Sequence, residues 1–418
     1  MIRELVEREA VAAAAALPSL NDLAVGPALR RAAQLLEERA PDVLAANELD
    51  MDAARETLDE GALDRLRLDE SRLATLARQL EETGALEPLE REIASRTLAN
   101  GLEVRELRIP VGTIGANFEA RPGVALDIAA QVLKSLNTIV LRTGGAALGT
   151  VETLVDHVLR PALEAEGIDG GAVGLVRSAD RSGAEALVSL PKLIPLVILR
   201  GSGASTATLA RLAADKGVRT LAHAEGGGVL YVHGSARADR VTAIVDSSLD
   251  RLGVCNRLNL ALVDREAAGL AAGLVAACVQ RGVEVVGTAR ASAVVPVGEL
   301  DEAIGHEWAS DSERVATVTL DIVDDLHEAV RIANTETSAL AAGIVAEDVD
   351  AVEAFFSLYR GTTAFWHATT RFTDGFELNG TPETGINVEW APGPRGPVSY
   401  RDLWLRQYRV VGDATQTR

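Results

Sequence analysis

The sequence has 418 residues, of which 47% are hydrophobic and 24% are charged, with a formal net charge of -20. A chain of this length exceeds one ordinary hydrophobic core, so two or three packed units are expected, and the charged fraction argues against wholesale disorder. The acidity and the absence of any basic run exclude an ordinary nucleic-acid-binding protein. No uncharged apolar run reaches the roughly 18 residues that a membrane span needs, so no membrane-spanning helix is expected.

The start of the chain and its cysteine content predict a cytoplasmic protein. The first ten residues carry acidic side chains and no long apolar stretch, unlike a secretory signal peptide. Only Cys255 and Cys278 are present, which fits a reducing compartment and excludes a disulfide framework. The six histidines lack the spacing of a zinc motif, so no metal site is predicted.

Residues 1 to about 92 predict a layer of helices, because apolar residues recur there at intervals of three and four. One of these helices opens at a capping cluster of Asp69, Glu70 and Ser71. The pattern changes at residue 95, where Asn100–Gly101 lies between two alternating segments and predicts a β-hairpin. A hairpin that leaves a helical region often serves as an oligomerisation arm, and a hairpin lying on its own domain is the alternative.

From residue 111 onward, short apolar strands alternate with helices, and a second stretch of the same kind begins near residue 229. This alternation predicts mostly parallel sheets covered on both faces, which bind ligands at the carboxyl ends of their strands. The last fifty residues contain FTDGFELNGTPETG and APGPRGP, whose glycines and prolines predict loops. The segment LWLRQYRVVGD then predicts a helix end that leads into a strand.

Two short glycine runs are candidates for a phosphate-binding backbone. Neither a G-x-G-x-x-G fingerprint opening a helix after the first strand nor a G-x-x-x-x-G-K-[ST] loop is present, so any dinucleotide site is not of the usual type. The runs at residues 144–145 and 226–228 could admit a phosphate, but such runs are more often turns.

The two cysteines lie in different sequence contexts. Cys278 lies inside an apolar helix and is predicted to be a core residue, whereas Cys255 lies in a loop beside Asn256, with Arg251 and Arg257 nearby. A cation or aligned N–H groups would lower the pKa of a thiol and make the thiolate available for catalysis. These residues alone leave a nucleophile and an ordinary loop cysteine equally open.

A second candidate feature follows the strand VGTIGANF, where Glu119 and Arg121 lie at the expected ligand edge of a parallel sheet. An arginine at this edge could hold a carboxylate or a phosphate through a bidentate pair. A surface arginine at the end of a strand is the ordinary alternative.

Several of these motifs together resemble the gamma-glutamyl phosphate reductase family of the aldehyde dehydrogenase superfamily. They include the run from NGLEVRELRIPVG through FEARPGVALDIAAQVLKSLNTIVLR, then HAEGGGVLYV, VCN, ATTRFTDG and the late RGP. The matches lie in the family's order and span nearly the whole chain. A single one of them would be weak support, whereas the ordered set is strong.

The resemblance implies an α/β, aldehyde dehydrogenase-like fold with two doubly wound domains and a β-hairpin oligomerisation arm. Residues 1–94 and 111–228 would form a cofactor-binding domain, and residues 229–375 a catalytic domain. Residues 95–110 and 398–418 would form the arm, which implies a homo-oligomer, either a dimer or a tetramer. An acyl phosphate would be the small-molecule partner, and functional coupling to an acyl kinase stays open.

The resemblance also implies a reaction and a set of site residues. NADPH would reduce L-glutamyl 5-phosphate to glutamate-5-semialdehyde in proline biosynthesis, through a thioester on Cys255. The main-chain N–H of Cys255 and the amide of Asn256 are the candidate oxyanion donors. The implied substrate-binding residues are Glu119, Arg121, Arg371, Asp374 and Glu383. The implied cofactor-binding residues are Arg142, Gly201, Ser202, Gly203 and Glu225.

The chain departs from the family pattern in three places. The family continues the strand of Arg142 as Arg-Gly-Gly-Lys, whereas this chain reads Arg142–Thr143–Gly144–Gly145, so NADH stays open beside NADPH. A His-Ser/Thr-Asp triplet is replaced at about residues 341–343 by Ala-Ala-Gly, and the segment NGTPETGINV keeps only Glu383 of a further substrate motif. Two alternatives follow: a paralogue acting on another acyl phosphate or aldehyde, and a catalytically silent homologue serving as an assembly subunit.

Overall fold

The computed structural model describes residues 2–58, 60–201, 203–223, 226–300, 316–390 and 393–414. The chain divides into two compact units. Unit 1 comprises Met1–Ala222, Thr381–Gly385 and Val398–Arg418, and unit 2 comprises His223–Gly380 and Ile386–Pro397. The assignment of cofactor binding to one region and catalysis to the other remains a prediction.

Unit 1 opens with the helical layer that the sequence predicts, followed by the hairpin. Asp69 lies at the start of the fifth helix, where its carboxylate accepts the N–H of Arg72 at 2.8 Å, as the capping cluster predicts. Gly101 takes a positive φ of 87° in the hairpin turn. The elements are α1 (Ile2–Ala16), α2 (Asp22–Glu38), α3 (Ala40–Ala54), α4 (Glu60–Leu66), α5 (Glu70–Ala85), β1 (Glu92–Thr97) and β2 (Glu103–Pro110).

A five-stranded sheet forms the centre of unit 1. Its elements are β3 (Thr113–Phe118), α6 (Gly123–Lys134), β4 (Thr138–Thr143), α7 (Leu148–Leu154), α8 (Arg160–Ala165), β5 (Val173–Leu175), α9 (Ser182–Leu187), β6 (Leu196–Arg200), α10 (Gly203–Lys216) and β7 (Arg219–His223). The strand order is β5-β4-β3-β6-β7, and β3 pairs in parallel with both β4 and β6. A π-helical segment, Val155–Leu159, joins α7 to α8.

Both faces of this sheet are buried, which explains why its strands read as continuous apolar runs. In β4, Ile139 and Leu141 join the core cluster on one face, together with residues of α2, α5 and α6. Val140 lies between them in sequence and joins a different cluster, together with Val6 of α1. Because side chains alternate along a strand, a layer of helices on each face requires an apolar residue at every position.

Unit 2 is a second α/β layer structure with a seven-stranded sheet. Its elements are β8 (Gly228–Val232), α11 (Ala238–Ser248), β9 (Leu258–Asp264), α12 (Ala271–Gln280), β10 (Glu284–Gly287), α13 (Ala289–Ser292), β11 (Gly298–Glu299), β12 (Thr317–Val323), α14 (Leu326–Thr335), β13 (Ala341–Val345), α15 (Val349–Leu358) and β14 (Thr363–Trp366). The order is β11-β10-β12-β9-β8-β13-β14, and neighbouring strands pair in parallel. The predicted doubly wound α/β architecture is confirmed.

The glycine-rich segment after residue 372 is more ordered than the predicted loops. It contains a short helix, α16 (Gly375–Asn379), and two three-residue strands, β15 (Gly385–Asn387) and β16 (Gly396–Val398). The prediction of loops alone was wrong here, because elements of three to five residues are too short to show a periodicity.

The last strand, β17 (Trp404–Val411), completes the hairpin of unit 1. It pairs antiparallel with β2, which gives a three-stranded sheet in the order β1-β2-β17. Apolar side chains on β17 are exposed, including Tyr408 at 49% and Val410 at 53%. Within the described ranges, no helix is both long and apolar enough to cross a membrane.

Candidate active site

Cys255 lies in a turn of unit 2 between α11 and β9, at the amino ends of β8 and β9, where Gly228 pairs with Leu258. Its side chain is partly exposed and forms no disulfide. Cys278 is fully buried within α12, as predicted, and burial raises the pKa of its thiol to about 12. Cys255 is therefore the cysteine that can meet a ligand from solvent.

The glycine run at residues 226–228 packs directly against the Cys255 turn. The main-chain N–H of Gly227 donates to the carbonyl oxygen of Cys255 at 2.6 Å, and that of Gly228 donates to Arg257 at 2.7 Å. A Cβ atom on Gly226 would lie 2.5 Å from the Cα of Cys255, far inside van der Waals contact. Glycine at 226 is thus required by a close approach of two backbone segments.

Asn256 is buried, with 4% exposure, and its side chain contacts the segment 369–374. Its Nδ2 atom donates to the carbonyl oxygens of Arg371 and Thr373, both at 3.0 Å. Its Oδ1 atom accepts a hydrogen bond from Nη1 of Arg371. The main-chain carbonyl of Asn256 accepts the hydroxyl of Thr370 at 2.8 Å. This amide is therefore held by protein groups on every side.

Two predicted substrate residues are also engaged within unit 2. The Nε atom of Arg371 donates to Oδ1 of Asp250 at 2.7 Å, and this hydrogen bond holds the pKa of the Asp250 carboxyl below its ordinary value. The carboxylate of Asp374 accepts the N–H of Phe376 at 2.9 Å and caps α16. Each of these side chains has a structural partner in its own unit.

The inner side of the Cys255 turn is apolar. Cys255 packs with Phe365 and Val388 against a small buried cluster of Leu340, Ala341 and Ile386. Two of these, Leu340 and Ala341, lie at or beside the positions where the resemblance would place a polar triplet. The unit 2 residues on this side of the thiol therefore favour contact with an apolar group over contact with a charged one.

In unit 1, Glu119 and Gly201 lie together at the carboxyl edge of the five-stranded sheet. Glu119 directly follows β3 and Gly201 directly follows β6, the strands that adjoin where the sheet order reverses. A Cβ atom on Gly201 would lie 2.8 Å from Oε1 of Glu119. Arg121 is exposed just beyond, and Gly203 begins α10. In parallel sheets such a reversal is the usual ligand site.

Arg142 is 7% exposed and lies inside the sheet rather than on its surface. Its Nη1 atom donates to Oδ1 of Asn117 on β3 at 3.2 Å, and its Nη2 atom donates to the carbonyl oxygen of Asp180 at 3.1 Å. Within the described part of the chain, its buried Nε atom has no hydrogen-bond partner. Burial lowers the pKa of this guanidinium from its ordinary value.

Three predicted site residues remain, Glu383, Ser202 and Glu225. Glu383 is half-buried in the segment Thr381–Gly385, which belongs to unit 1. Ser202 and Glu225 lie outside the described residues. Within each unit, the structure brings Cys255, Asn256 and Arg371 together, and Glu119 and Gly201 together.

Sequence reasoning missed two residues that support the Cys255 turn, Thr370 and Asp250. Thr370 is present in the motif ATTRFTDG, so its hydroxyl could have been singled out there. Asp250 carries no such signal, because its ion pair with Arg371 joins residues that are 121 positions apart.

Comparison with solved structures defines the class of protein. An acetylating aldehyde dehydrogenase from Geobacillus thermoglucosidasius superposes with a TM-score of 0.68 at 17% identity, covering 100% of this chain and 97% of that one. The chain therefore has the aldehyde dehydrogenase fold, as the sequence predicts. A much closer structural match is the gamma-glutamyl phosphate reductase of Thermotoga maritima, with a TM-score of 0.91, 27% identity and coverage of 99% and 100%.

Curated relatives define the family. Gamma-glutamyl phosphate reductase of Clavibacter michiganensis is 35% identical over 391 residues, which cover 92% of this chain and 88% of the relative. The enzyme of Thermobifida fusca is 32% identical over 423 residues, covering 99% and 97%. No protein-family model matches the chain. On these relatives, the chain belongs to the gamma-glutamyl phosphate reductase family, and the predicted resemblance is confirmed.

Proposed function

We propose that this chain is an NADPH-dependent oxidoreductase that reduces L-glutamyl 5-phosphate to glutamate-5-semialdehyde and phosphate, in proline biosynthesis. The observation that carries the proposal is the partly exposed Cys255 thiol, held in a turn by the close approach of Gly226. Relatives named for this reaction match over nearly the whole chain. A thiol presented in this way is suited to nucleophilic catalysis.

The chemistry of Cys255 follows from the acyl phosphate. Its thiolate forms a C–S bond to the acyl carbon, and phosphate leaves with the electron pair of the broken C–O bond. Main-chain N–H groups of the turn stabilise the oxyanion that forms during this step. When bound, reduced nicotinamide supplies the hydride that brings the thioester carbon to the aldehyde level. Departure of the aldehyde restores the Cys255 thiolate.

The carboxyl edge of the unit 1 sheet fits a dinucleotide. Numbered from β3, its strands run 3-2-1-4-5, the order of a dinucleotide-binding domain, and Glu119 and Gly201 lie at the point of reversal. A Cβ atom at Gly144 would meet nothing within 4 Å, so backbone is accessible there. We assign this edge, with Arg142, Gly201 and Gly203, to the cofactor.

The acyl phosphate itself requires cationic or N–H partners. Arg121 is exposed beside the edge that holds Glu119, and it is the residue we assign to an anionic group of the substrate. Glu383 is the acidic residue we assign to the substrate's ammonium group. These assignments follow the family motifs that these positions retain.

The three-stranded sheet β1-β2-β17 supports a homo-oligomer. Its edge strand β17 exposes Tyr408, Val410 and Val411, and a long exposed edge strand is normally covered by another segment. We propose that a second copy of the chain covers it. Cys255 and Cys278 form no disulfide, which supports a reducing, cytoplasmic location.

A reverse-direction assay tests the proposed function. Glutamate-5-semialdehyde is supplied with phosphate and NADP⁺ or NAD⁺, and the absorbance of reduced nicotinamide is followed. Turnover that requires phosphate, is faster with NADP⁺ and disappears in Cys255→Ala supports the proposal. Absence of turnover, with the wild-type thiol still reactive, rejects the glutamyl substrate.

A second candidate is reduction of a different acyl phosphate by the same Cys255 chemistry. The apolar cluster of Leu340, Ala341 and Ile386 beside Cys255 favours it, because an α-ammonium or α-carboxylate group buried there would lack partners. A panel of less polar aldehydes in the same assay distinguishes the two. Higher kcat/KM for an aliphatic aldehyde than for glutamate-5-semialdehyde would select the second candidate.

A further inference from the structure

The side chain of Asn256 has no N–H donor left for a substrate oxygen. An amide offers two N–H donors and a carbonyl oxygen that accepts. In Asn256 the donors contact the carbonyl oxygens of Arg371 and Thr373 at 3.0 Å each, and the acceptor takes Nη1 of Arg371. An oxyanion donor must instead point at the carbonyl oxygen of the reacting acyl group. This geometry does not fit an oxyanion donor.

The same contacts join the Cys255 turn to the segment 369–374 of unit 2. Thr370 donates its hydroxyl to the main-chain carbonyl of Asn256 at 2.8 Å. The N–H of Gly227 also donates to the carbonyl of Cys255 at 2.6 Å. The two backbone carbonyls that follow the Cα atom of Cys255 are therefore fixed by hydrogen bonds from two different segments.

Arg371 completes the arrangement. Its guanidinium bridges Oδ1 of Asn256 and Oδ1 of Asp250, the second at 2.7 Å. Its side chain is only 20% exposed, because it lies along the turn. Two of its three nitrogens are engaged in this way, so a substrate anion would share this cation with Asp250. Arg371 therefore links Asn256 to Asp250 and supports the turn, rather than forming an open anion site.

We propose that Asn256, Thr370 and Arg371 form a positioning network that fixes the Cys255 thiol, with no direct contact to substrate. This inference rests on the proposed function only in taking Cys255 as the nucleophile. It assigns oxyanion stabilisation to main-chain N–H groups. The N–H of Asn256 is one such group, because it donates no hydrogen bond within the described residues.

A matched pair at Thr370 tests the network with minimal change of shape. Thr370→Val removes the hydroxyl that holds Asn256 and keeps the side-chain volume, whereas Thr370→Ser keeps the hydroxyl. We expect Thr370→Val to lower both the substrate-free alkylation rate of Cys255 and kcat by about 10- to 100-fold, with KM unchanged. Thr370→Ser should restore both rates. Equal rates in the two variants would overturn the proposal.

Asn256→Ala and Arg371→Ala separate positioning from direct catalysis. Alkylation by iodoacetamide forms no oxyanion, so a positioning role lowers the alkylation rate in both variants, across the pH range. If Asn256 were an oxyanion donor, kcat alone would fall in Asn256→Ala. If Arg371 bound substrate, KM alone would rise in Arg371→Ala. Either result would overturn the proposal.

Two controls distinguish a specific effect on Cys255 from a general loss of structure, and the alkylation assay needs no substrate. Arg281→Ala removes an ion pair with Asp246, also in unit 2, and should leave alkylation unchanged. Slow alkylation of buried Cys278 in every variant reports an intact core. Because alkylation needs no substrate, failure of the glutamyl assay leaves the network testable, whereas an unreactive Cys255 in the wild type rejects both proposals.

Discussion

At the scale of single residues, two glycines near Cys255, Gly226 and Gly253, differ in their surroundings. Gly226 lies where any side chain would meet the backbone of Cys255, while Gly253, two residues before the cysteine, faces open space. A Cβ atom therefore has room at Gly253 and none at Gly226. An alanine substitution at each position compares the two directly.

We expect Gly226→Ala to displace the Cys255 turn and Gly253→Ala to leave it in place. Overpacking of this kind costs about 1–3 kcal/mol in the free energy of unfolding, and a displaced nucleophile costs about 100-fold in kcat. Urea unfolding and the reverse-direction assay on both variants check the prediction. Equal effects at the two positions would contradict the packing argument.

A second residue-scale prediction concerns the pH dependence of stability. Burial raises the pKa of Asp127 in α6 from 3.8 to about 6, although Arg200 opposes this shift. A carboxyl whose pKa is raised in the folded state favours folding below pH 3.8, and this contribution is lost as the pH rises to about 6. Asp127→Asn removes the titrating group and its cost.

Asp127→Asn should therefore exceed the wild type in free energy of unfolding at pH 7, by up to about 3 kcal/mol. The difference should shrink as the pH falls from about 6 to 4. Urea unfolding of both proteins across this range is the measurement. A difference that does not change with pH would show that Asp127 is not the responsible group.

The sequence identifies candidate site residues, but it does not predict their contacts. Cys255 stands out because it is a cysteine in a loop, and Glu119 because it follows a buried strand. The role of Asn256 cannot be predicted in this way, because its partner Thr373 is 117 positions away. Arg142 ends a strand in the sequence, yet its side chain lies buried against Asn117, which only strand pairing determines.

At the scale of elements, α2 and α5 are held together by two glycines. A Cβ atom on Gly26 would lie 2.8 Å from the carbonyl oxygen of Gly84, and a Cβ atom on Gly84 would lie equally close to that of Gly26. Arg30 on α2 also donates to the carbonyl of Gly84 at 3.1 Å. The helices therefore meet backbone to backbone, which a larger residue would prevent.

Gly26→Ala should lower the free energy of unfolding by about 1–3 kcal/mol, because backbone atoms cannot move aside easily. Gly273→Ala in α12 is the matched control, since nothing lies within 4 Å of its Cβ position. That variant should be up to about 1 kcal/mol more stable, given the higher helix propensity of alanine. Urea unfolding measures both, and a neutral Gly26→Ala would contradict the close approach.

Element prediction succeeds where a pattern is long enough to show a period. The helices of unit 1 and most strands of both units follow from the spacing of their apolar residues. The strands β15 and β16 have three residues each, too few for a period, and the π-helical segment Val155–Leu159 preserves an apolar spacing close to that of an α-helix. These elements depend on contacts rather than on local pattern.

At the scale of the whole molecule, the exposed side chains of β17 predict self-association. Val410→Lys places a charge on this edge strand and should lower the molar mass measured by sedimentation equilibrium. Val349→Lys in unit 2 is a control of equal exposure, since both valines are 53% exposed. Loss of the oligomer in both variants, or in neither, would reject the arm as the interface.

The order of strands in each sheet is beyond what the sequence pattern supplies. Alternation of strand and helix predicts parallel sheets, but not that β8 lies between β9 and β13, nor that residues 381–385 return to unit 1. Both facts reflect pairing between segments that are distant in the chain. The resemblance to a known family predicts both features only because members of a family share a fold.

The pairing of β2 with β17 has a consequence during synthesis on the ribosome. β2 ends at Pro110 and its partner begins at Trp404, so one side of this strand has no neighbour until nearly the whole chain has been translated. At typical elongation rates this interval is roughly 15–60 s. Throughout it, a nascent chain presents an open strand edge, and chaperone binding or the arrival of another nascent chain has time to act there before β17 emerges.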